Sequence, residues 1–334
     1  MSDDPQWLAW RRGEDLPGRA AITASAIARA ASGRYGGAYG VVAEHLGLVE
    51  KEGDTDGRMA RGHALEPIVT TAAETLTGLY IVGEQTWCQH PERPEWRATV
   101  DGFAAPTPTP TIEDCTHVAE VKSRGVHVKP AWDYWGPQVQ WQLLVTGMPL
   151  GLLIEAAFDD AEQRVTKLGL HIIEPDEFAQ IALIDLADTL LDHMRNGTLP
   201  DPDAGALDTV KAVMSTVYTD AEVVDLSEYA DDVARLAKLK TAIKDGEDEA
   251  RGLEARIRNA VGSATKGVCD GYELTIGKPR RTLTKDGAAA LLAERPDLGK
   301  TVVDTDLARN VAKATYEAHL TPTGARALTI KEAS

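Results

Sequence analysis

The sequence lacks the features that define several protein classes. Its three cysteines, Cys88, Cys115 and Cys269, lie far apart, and none belongs to a C-x-x-C pair or a zinc-finger spacing with histidine. This argues against a disulfide framework, a zinc cluster and an iron–sulfur cluster. No run of about 18 apolar residues occurs, and the start MSDDPQWLAWRRG does not have the pattern of a signal peptide. We therefore expect a cytoplasmic protein without a membrane span.

The sequence is also poor in basic residues. Its 35 Lys and Arg stand against 52 Asp and Glu, which gives a net charge of −17. A protein that coats nucleic acid nonspecifically needs clustered Lys and Arg, so this balance argues against that class but leaves room for a narrow basic groove. The 334 residues are 43% hydrophobic and 26% charged, which suits one large globular domain or two ordinary ones.

The order of predicted elements indicates an α/β fold with a mixed central sheet flanked by helices. Helical patterns near residues 20–50 and in GRMARGHALEPIVTTAAETLTG precede three strand-like runs, LYIVGEQTW, RATVDGFA and HVAEVKSR. A helix in DYWGPQVQWQLLVTG, two further strands and a closing helix follow. The segment TLPDPDAGALD breaks this pattern, so we place a first domain at 1–205 and a C-terminal extension at 206–334.

The C-terminal extension contains a heptad repeat over about residues 229–261. Apolar or small residues recur at spacings of three and four, at Leu236, Leu239, Ile243, Gly246, Ala250, Leu253, Ile257 and Ala260. The pattern predicts either one long helix or a hairpin of two helices folded near KDGED, with Gly246 as its weak point. A strand pair in GVCDGYELTIGK, with Asp-Gly as its turn, and a mixed tail complete a small α+β segment.

The stretch HVAEVKSR places a carboxylate and an ammonium on one face of a strand. Side chains alternate along a strand, so Glu120 and Lys122 point together while Val121 turns into the core. Asp101, in TVDGF at the end of the preceding strand, joins them if the two strands pair. Neighbouring buried carboxylates need a cation between them, and such hard oxygen ligands suit Mg²⁺ or Mn²⁺. The alternative is a solvated Glu–Lys pair and an ordinary Asp-Gly turn.

A metal cluster of this kind is suited to the hydrolysis of a phosphodiester. The metal would act as a Lewis acid, as an activator of water or as a clamp on the leaving oxygen. Lys122 would orient the attacking water and offset the negative charge that builds in the transition state.

Four ordered blocks make the sequence similar to the YqaJ-type phage recombination exonucleases of the lambda exonuclease family, within the PD-(D/E)XK nuclease superfamily. The blocks are GRMARGHALEP, ATVDGFA, AEVKSR and QVQWQLLVTG, and the resemblance covers roughly residues 7–200. It implies a PD-(D/E)XK core and a metal-dependent exonuclease that digests one strand of linear duplex DNA from its 5′ end. The 3′ single strand left behind would pass to a single-strand annealing protein. A homo-oligomer, a trimeric ring in the lambda group, is implied as well.

The same resemblance assigns roles to residues of the acidic cluster. Asp101 would be a ligand shared between two Mg²⁺ or Mn²⁺ ions, Glu120 a second ligand, and the Val121 backbone carbonyl a further oxygen donor. Lys122 would position the water. Glu66, in GHALEP, matches the helical glutamate of the family and would complete the shell of metal and water. Its alternative role is that of a carboxylate at a helix N-terminus.

The resemblance also points to residues outside the acidic cluster. Gln138, in PQVQWQ, matches the glutamine on the helix after the E-x-K strand; Gln142 lies one turn further on the same face, and Gln140 does not. Ser25, in ITAS, would contact a 5′ phosphate through its hydroxyl and the helix N-terminus, with Arg19 as the assisting arginine. A capping or packing role is the alternative for Ser25.

Aromatic residues in AWDYWG add a candidate for stacking on bases where the strands separate. They are Trp132, Tyr134 and Trp135, and the alternative is that they belong to the core. Two other functions stay open. One is a structure-specific or site-specific DNA endonuclease of the same fold. The other is a non-catalytic adaptor that binds DNA ends while its heptad segment recruits a partner.

Overall fold

The computed structural model describes residues 4–49, 58–108, 110–159, 164–216, 225–276, 280–295, 320–323 and 328–332. The chain forms two compact units, Met1–Glu222 and Val223–Ser334. Among the described residues, no helix combines the length and the apolar character that crossing a membrane requires.

The first unit alternates helices and strands. Its N-terminal part contains α1 (Pro5–Arg12), β1 (Ile22–Thr23), α2 (Ala24–Ser32), α3 (Gly37–His45) and α4 (Arg58–Thr77). The strands β2 (Tyr80–Val82), β3 (Thr86–Gln89), β4 (Trp96–Val100), β5 (Gly102–Ala105) and β6 (His117–Gly125) follow. The unit continues with α5 (Trp132–Thr146), β7 (Leu150–Asp159), β8 (Arg164–Ile173), α6 (Glu177–Asn196) and α7 (Leu207–Thr216).

The main sheet has five strands in the order β2-β5-β6-β7-β8. β6 and β7 run parallel and the other neighbours are antiparallel, so the sheet is mixed. Helices cover both faces, because α4 packs Val69 and Ala73 against β5 and β7, while α5 and α6 pack on the opposite face. The expected fold class, a mixed sheet flanked by helices, is confirmed.

A second sheet, in the order β1-β4-β3, lies in the same unit. The chain passes from this sheet to the main one at Asp101, so the predicted strand RATVDGFA is in fact two strands, β4 and β5. Gly102 permits the crossing, because a Cβ there would lie 2.6 Å from Ile81 Cγ2 on β2. The predicted strand LYIVGEQTW is divided in the same way, between β2 and β3, at a turn where Gly83 and Gln85 have positive φ.

The helices at the start of the chain are only partly those predicted. Helix α2 falls in the region where helices were predicted, and Thr23 caps it, since its hydroxyl accepts a hydrogen bond from the Ala26 N–H at 3.3 Å. Helix α1 was not predicted; Asp4 caps it and Pro5 occupies its first position. Helix α7 packs with the first unit, because Val213 is buried there beside Tyr39. Residues that the sequence assigned to the extension after 205 thus lie in the first unit.

The second unit contains α8 (Ala230–Val261), β9 (Lys266–Cys269), β10 (Tyr272–Ile276), β11 (Arg280–Leu283), α9 (Lys285–Glu294), β12 (Leu320–Thr323) and β13 (Leu328–Glu332). α8 is one unbroken helix through KDGED, so the structure has the long helix of the two alternatives. β9 and β10 form the predicted hairpin, with Gly271 at φ 78° in its turn. Much of the predicted mixed tail lies outside the described residues.

Candidate active site

The three charged residues of the sequence motif converge where β5 and β6 meet. β5 pairs Gly102 with Ala119, which brings Asp101 to the level of Glu120. The Val121 N–H donates a hydrogen bond to Asp101 Oδ2 at 2.8 Å. Lys122 Nζ lies 2.5 Å from Glu120 Oε1. The Glu120–Lys122 pair is therefore an almost enclosed ion pair beside a second carboxylate, and it is not a solvated pair on a sheet face.

Two glutamines of α5 hold Glu120, whose side chain is only 4% exposed. Gln138 Nε2 donates to Glu120 Oε1 at 2.6 Å, and Gln142 Nε2 donates to Glu120 Oε2 at 2.5 Å. Gln142 is a site residue that the sequence interpretation passed over. Its spacing of four from Gln138 was the available signal. Gln140 faces away and donates to the Glu174 carbonyl at 2.8 Å.

Glu66 reaches the site through a bridging amide. Gln85 Nε2 donates to Glu66 Oε1 at 3.3 Å and to Asp101 Oδ1 at 3.0 Å, so one side chain joins α4 to the end of β4. Gln85 has a left-handed backbone, with φ 55°, in the turn between β2 and β3. Sequence reasoning missed it, because no periodic pattern indicates which turn residue points toward a carboxylate.

The electrostatics of the cluster show an excess of negative charge. Burial raises the pKa of Asp101 well above its ordinary value, Glu120 and Glu66 raise it further, and Lys122 opposes them. Burial would lower the pKa of Lys122, yet the charges of Glu120 and Asp101 raise it overall, so the ammonium stays protonated. Three carboxylates thus share one nearby lysine. A divalent cation would supply the missing charge.

The donor set fits a hard divalent metal, although the oxygens are occupied by hydrogen bonds in this structure. Carboxylates and a backbone carbonyl are the donors that Mg²⁺ and Mn²⁺ prefer. Among the described residues, no three His, Cys, Asp or Glu side chains already stand together in a ligand arrangement. Gln85, Gln138, Gln142 and Lys122 hold the carboxylate oxygens instead. Each carboxylate oxygen has a second lone pair, so a metal would bind beside these contacts.

A second cluster surrounds the start of α2 and corrects one prediction. Arg11 Nη2 donates to Ser25 Oγ at 2.8 Å and lies 3.4 Å from Thr23 Oγ1. The predicted partner, Arg19, is elsewhere: its side chain is 73% exposed and lies 4.0 Å from Glu14. Because helix α1 was not predicted, the sequence interpretation could not place Arg11 beside Ser25. The capping role belongs to Thr23, which leaves the Ser25 hydroxyl to Arg11.

Arg11 is a partly buried cation with little negative charge near it to balance its positive charge. It stacks over the Trp7 ring, with Cζ 4.4 Å from the ring centroid, and forms no ion pair within the described part of the chain. Burial lowers the pKa of Arg11, the charge of nearby Arg29 adds to this, and Tyr134 and Glu44 oppose it. An uncompensated guanidinium beside a hydroxyl is suited to binding an anion.

The aromatic residues of AWDYWG separate into two kinds. Trp135 is buried and belongs to the core, whereas Trp132 is 41% exposed. Tyr134 lies one turn before Gln138 on the same face of α5, and burial raises its pKa. Because Gln138 contacts Glu120, Tyr134 lies on the side of α5 that faces the acidic cluster of Glu66, Asp101 and Glu120.

Comparison with protein-family models gives a match over residues 6–149, to the YqaJ-like viral recombinase domain. This segment contains both clusters, and the match confirms the resemblance seen in the four ordered sequence blocks. Comparison with curated proteins gave no match.

Several solved structures are similar to the chain. Two are of LHK-Exo, an alkaline exonuclease from Laribacter hongkongensis, one of them in complex with dAMP. They show 17% and 18% identity, a TM-score of 0.42, and coverage of 64% of this chain and 99% of theirs. A phage-related exonuclease from Haemophilus somnus 129PT shows 10% identity and a TM-score of 0.42, with coverage of 53% of this chain and 94% of its own.

Proposed function

We propose that this chain, whose residues 6–149 match the YqaJ-like viral recombinase domain, is a metal-dependent 5′-to-3′ exonuclease of double-stranded DNA. It hydrolyses phosphodiesters and leaves 3′ single-stranded tails. The observation that supports the proposal best is the convergence of Asp101, Glu120 and Lys122 at the β5–β6 junction. The Arg11–Ser25 cluster adds an anion-binding group in the same unit.

Magnesium or manganese is the cofactor that the donor chemistry supports. Asp101, Glu120 and the Val121 carbonyl would hold it, Glu66 would complete the shell, and Asp101 would be shared if two ions bind. The bound metal supplies Lewis acidity and an activated water. The side chains of the protein perform the remaining tasks of binding, orientation and charge stabilisation.

Lys122 and the two glutamines prepare the reaction. Because the Lys122 ammonium stays protonated, it donates hydrogen bonds, and it can orient the attacking water and stabilise negative charge on the phosphate oxygens. Gln138 and Gln142 fix both oxygens of Glu120, so this carboxylate is held in one orientation before DNA binds. The amide oxygens of both glutamines are buried without a hydrogen-bond partner among the described residues, which leaves acceptors available beside Glu120.

We assign the recognition of the DNA end to the cluster of Arg11 and Ser25. A 5′-terminal phosphate would accept hydrogen bonds from the Arg11 guanidinium and the Ser25 hydroxyl at the start of α2, where the helix dipole also favours an anion. The phosphate would supply a negative partner for Arg11, which forms no ion pair among the described residues. The scissile bond would then lie toward Lys122.

The first experiment compares linear 5′-phosphorylated duplex with covalently closed circular duplex, with Mg²⁺ or with EDTA. We expect release of nucleotides from the linear DNA only, and only with the metal. Rapid loss of the closed circle would favour a structure-specific or site-specific endonuclease. Equal release of nucleotides in EDTA would show that hydrolysis does not require a metal.

The variant Lys122→Ala distinguishes the enzyme from a DNA-end-binding adaptor. We expect retained folding by circular dichroism, retained binding to DNA ends and loss of hydrolysis by at least 100-fold, because a transition-state donor is removed. Wild-type rates in this variant would refute the proposed active site.

Assembly and partners belong to the same proposal. We infer a homo-oligomer, a trimeric ring as in the lambda group, and transfer of the 3′ strand to a single-strand annealing protein. Light scattering coupled to size-exclusion chromatography measures the oligomer directly. A monomer at micromolar concentration would contradict the proposed ring.

A further inference from the structure

Tyr35 is an aromatic side chain that neither cluster uses. It lies in the turn between α2 and α3, the residue is 67% exposed, and its backbone φ is 51°. A non-glycine residue in the left-handed region is uncommon, and such residues persist where the surrounding structure enforces them. No pattern in the sequence pointed to this residue.

The turn around Tyr35 is fixed on both sides. Arg29 Nη2 donates to the Tyr35 carbonyl at 2.7 Å, and Glu44 holds the same guanidinium through both carboxylate oxygens, at 2.7 and 2.8 Å. Arg34, the residue before Tyr35, forms a two-point ion pair with Asp133 at 2.7 and 3.1 Å. The turn is thereby attached to α3 and to the first turn of α5.

The attachment directs the ring toward the active site. The Tyr35 and Tyr134 ring centroids are 5.9 Å apart, with an interplanar angle of 77°. Tyr134 in turn lies one turn before Gln138 on the same face of α5, and Gln138 contacts Glu120. Arg29, which holds the Tyr35 carbonyl, lies one turn after Ser25 on α2. In an edge-to-face contact, the edge of one ring meets one face of the other ring. The opposite face of that second ring stays available for a ligand. The exposed Tyr35 side chain is therefore linked to the acidic cluster through Tyr134 and the Gln138 face of α5, and to the Ser25 end of α2 through Arg29.

We propose that Tyr35 is a base-stacking residue, which receives the unpaired nucleobase of the strand whose 5′ phosphate is bound at Ser25 and Arg11. This rests on the proposed function. A base that leaves the duplex loses its stacking neighbour, and a rigidly presented aromatic face replaces that contact regardless of base identity. The ligand class is a nucleobase at a melting DNA end, so every sequence is accepted.

The test uses a 5′-phosphorylated duplex with 2-aminopurine at the 5′-terminal position, bound in EDTA to the full-length protein. Tyr35→Asn tolerates the left-handed backbone, Tyr35→Phe keeps the ring, and Phe178→Ala removes an aromatic that is 86% exposed on α6, away from both clusters. We expect Tyr35→Asn to bind the end about tenfold more weakly than wild type, with higher 2-aminopurine fluorescence in the saturated complex. Tyr35→Phe and Phe178→Ala should match wild type.

The outcomes separate this inference from the proposed function. If Tyr35→Asn binds with wild-type affinity and fluorescence while the wild-type protein degrades linear DNA, the stacking role is wrong and the exonuclease stands. If the wild-type protein binds the end and shows the Tyr35 dependence but releases no nucleotides with Mg²⁺, stacking is supported and the enzyme proposal fails. Failure of the wild-type protein to bind any DNA end overturns both.

Discussion

At the scale of single residues, the active site depends on amides as much as on charges. Gln138 and Gln142 each bind one oxygen of Glu120, and Gln85 joins Glu66 to Asp101. The charged residues could be found from the sequence because strand alternation fixes which side chains share a face. The amides could not all be found, because their role depends on where α5 and the β2–β3 turn lie relative to the sheet.

Gln142→Ala should lower the rate of hydrolysis about 10-fold to 100-fold and raise the Mg²⁺ concentration needed for half-maximal rate, since residues that orient a metal ligand contribute on this scale. Initial rates over a Mg²⁺ titration measure both. Gln140→Ala is the matched control, because it also removes a buried amide from α5 but one that binds the Glu174 carbonyl. A loss of stability with unchanged rate is expected there. An equal rate loss in the two variants would contradict the role of Gln142.

Arg11→Ala should reduce the preference for a 5′-phosphorylated over a 5′-hydroxyl end by about tenfold, because a charge-assisted hydrogen bond to phosphate is lost. Parallel digestions of the two substrates give the ratio. Arg19→Ala is the control, since Arg19 is mostly exposed and distant from Ser25. If only Arg19→Ala changes the ratio, the structural correction in favour of Arg11 is wrong.

At the scale of elements, α1 and its following loop are attached to the core by one buried cation. Arg97 on β4 is fully buried and donates to Asp15 Oδ1 and Oδ2 at 2.8 Å each, and to the Pro94 carbonyl at 3.0 Å. It also donates to the Trp10 carbonyl. Because Arg11 follows Trp10 directly, this attachment also positions the guanidinium beside Ser25.

Asp15→Asn should lower the free energy of unfolding by about 1–3 kcal/mol, because the Arg97 charge stays buried without its carboxylate. The hydrogen bond from Arg97 lowers the pKa of Asp15, so its stabilisation is complete above the carboxyl's ordinary pKa and is lost as pH falls through the lowered value. Urea unfolding of both proteins at about pH 7 and about pH 3 checks this, and the difference should shrink at the lower pH. A difference that grows on acidification would contradict the assignment.

The elements show which parts of the fold follow from periodicity. Helices α4, α5 and α6 and strand β6 were predicted from their periodic patterns, and strands β7 and β8 from the apolar stretches LGLLIEAAF and VTKLGLHII. The crossing at Asp101 was not predicted, since the stretch from Trp96 to Ala105 reads as one strand and only the close approach of β2 to Gly102 divides it. Helix α1 has just eight residues and no sustained apolar stripe, so no pattern indicated it.

At the scale of the whole molecule, a net charge of −17 must coexist with DNA binding. The clusters described here offer few cations to phosphate, chiefly Arg11 and Lys122. The proposed contact with DNA is therefore local and directed to an end, and the acidic remainder of the surface does not attract the duplex.

The affinity for a 5′-phosphorylated duplex should depend only weakly on salt. With about three phosphates neutralised, raising the salt from about 50 to about 200 mM should weaken binding by about 40-fold, against 10³-fold or more for proteins that contact six or more phosphates. Fluorescence anisotropy titrations in EDTA measure the slope. A slope as steep as that of six contacts would reveal a basic channel beyond these clusters.

The path of the chain through Asp101 has a consequence for the products. Strand β1, which leads into Ser25, pairs with β4, which ends one residue before Asp101. One three-stranded sheet thus sets the distance between the anchor for the terminal phosphate and the cleaving centre. Because this distance is fixed, the enzyme should release fragments of constant length from every DNA end, whatever the base composition.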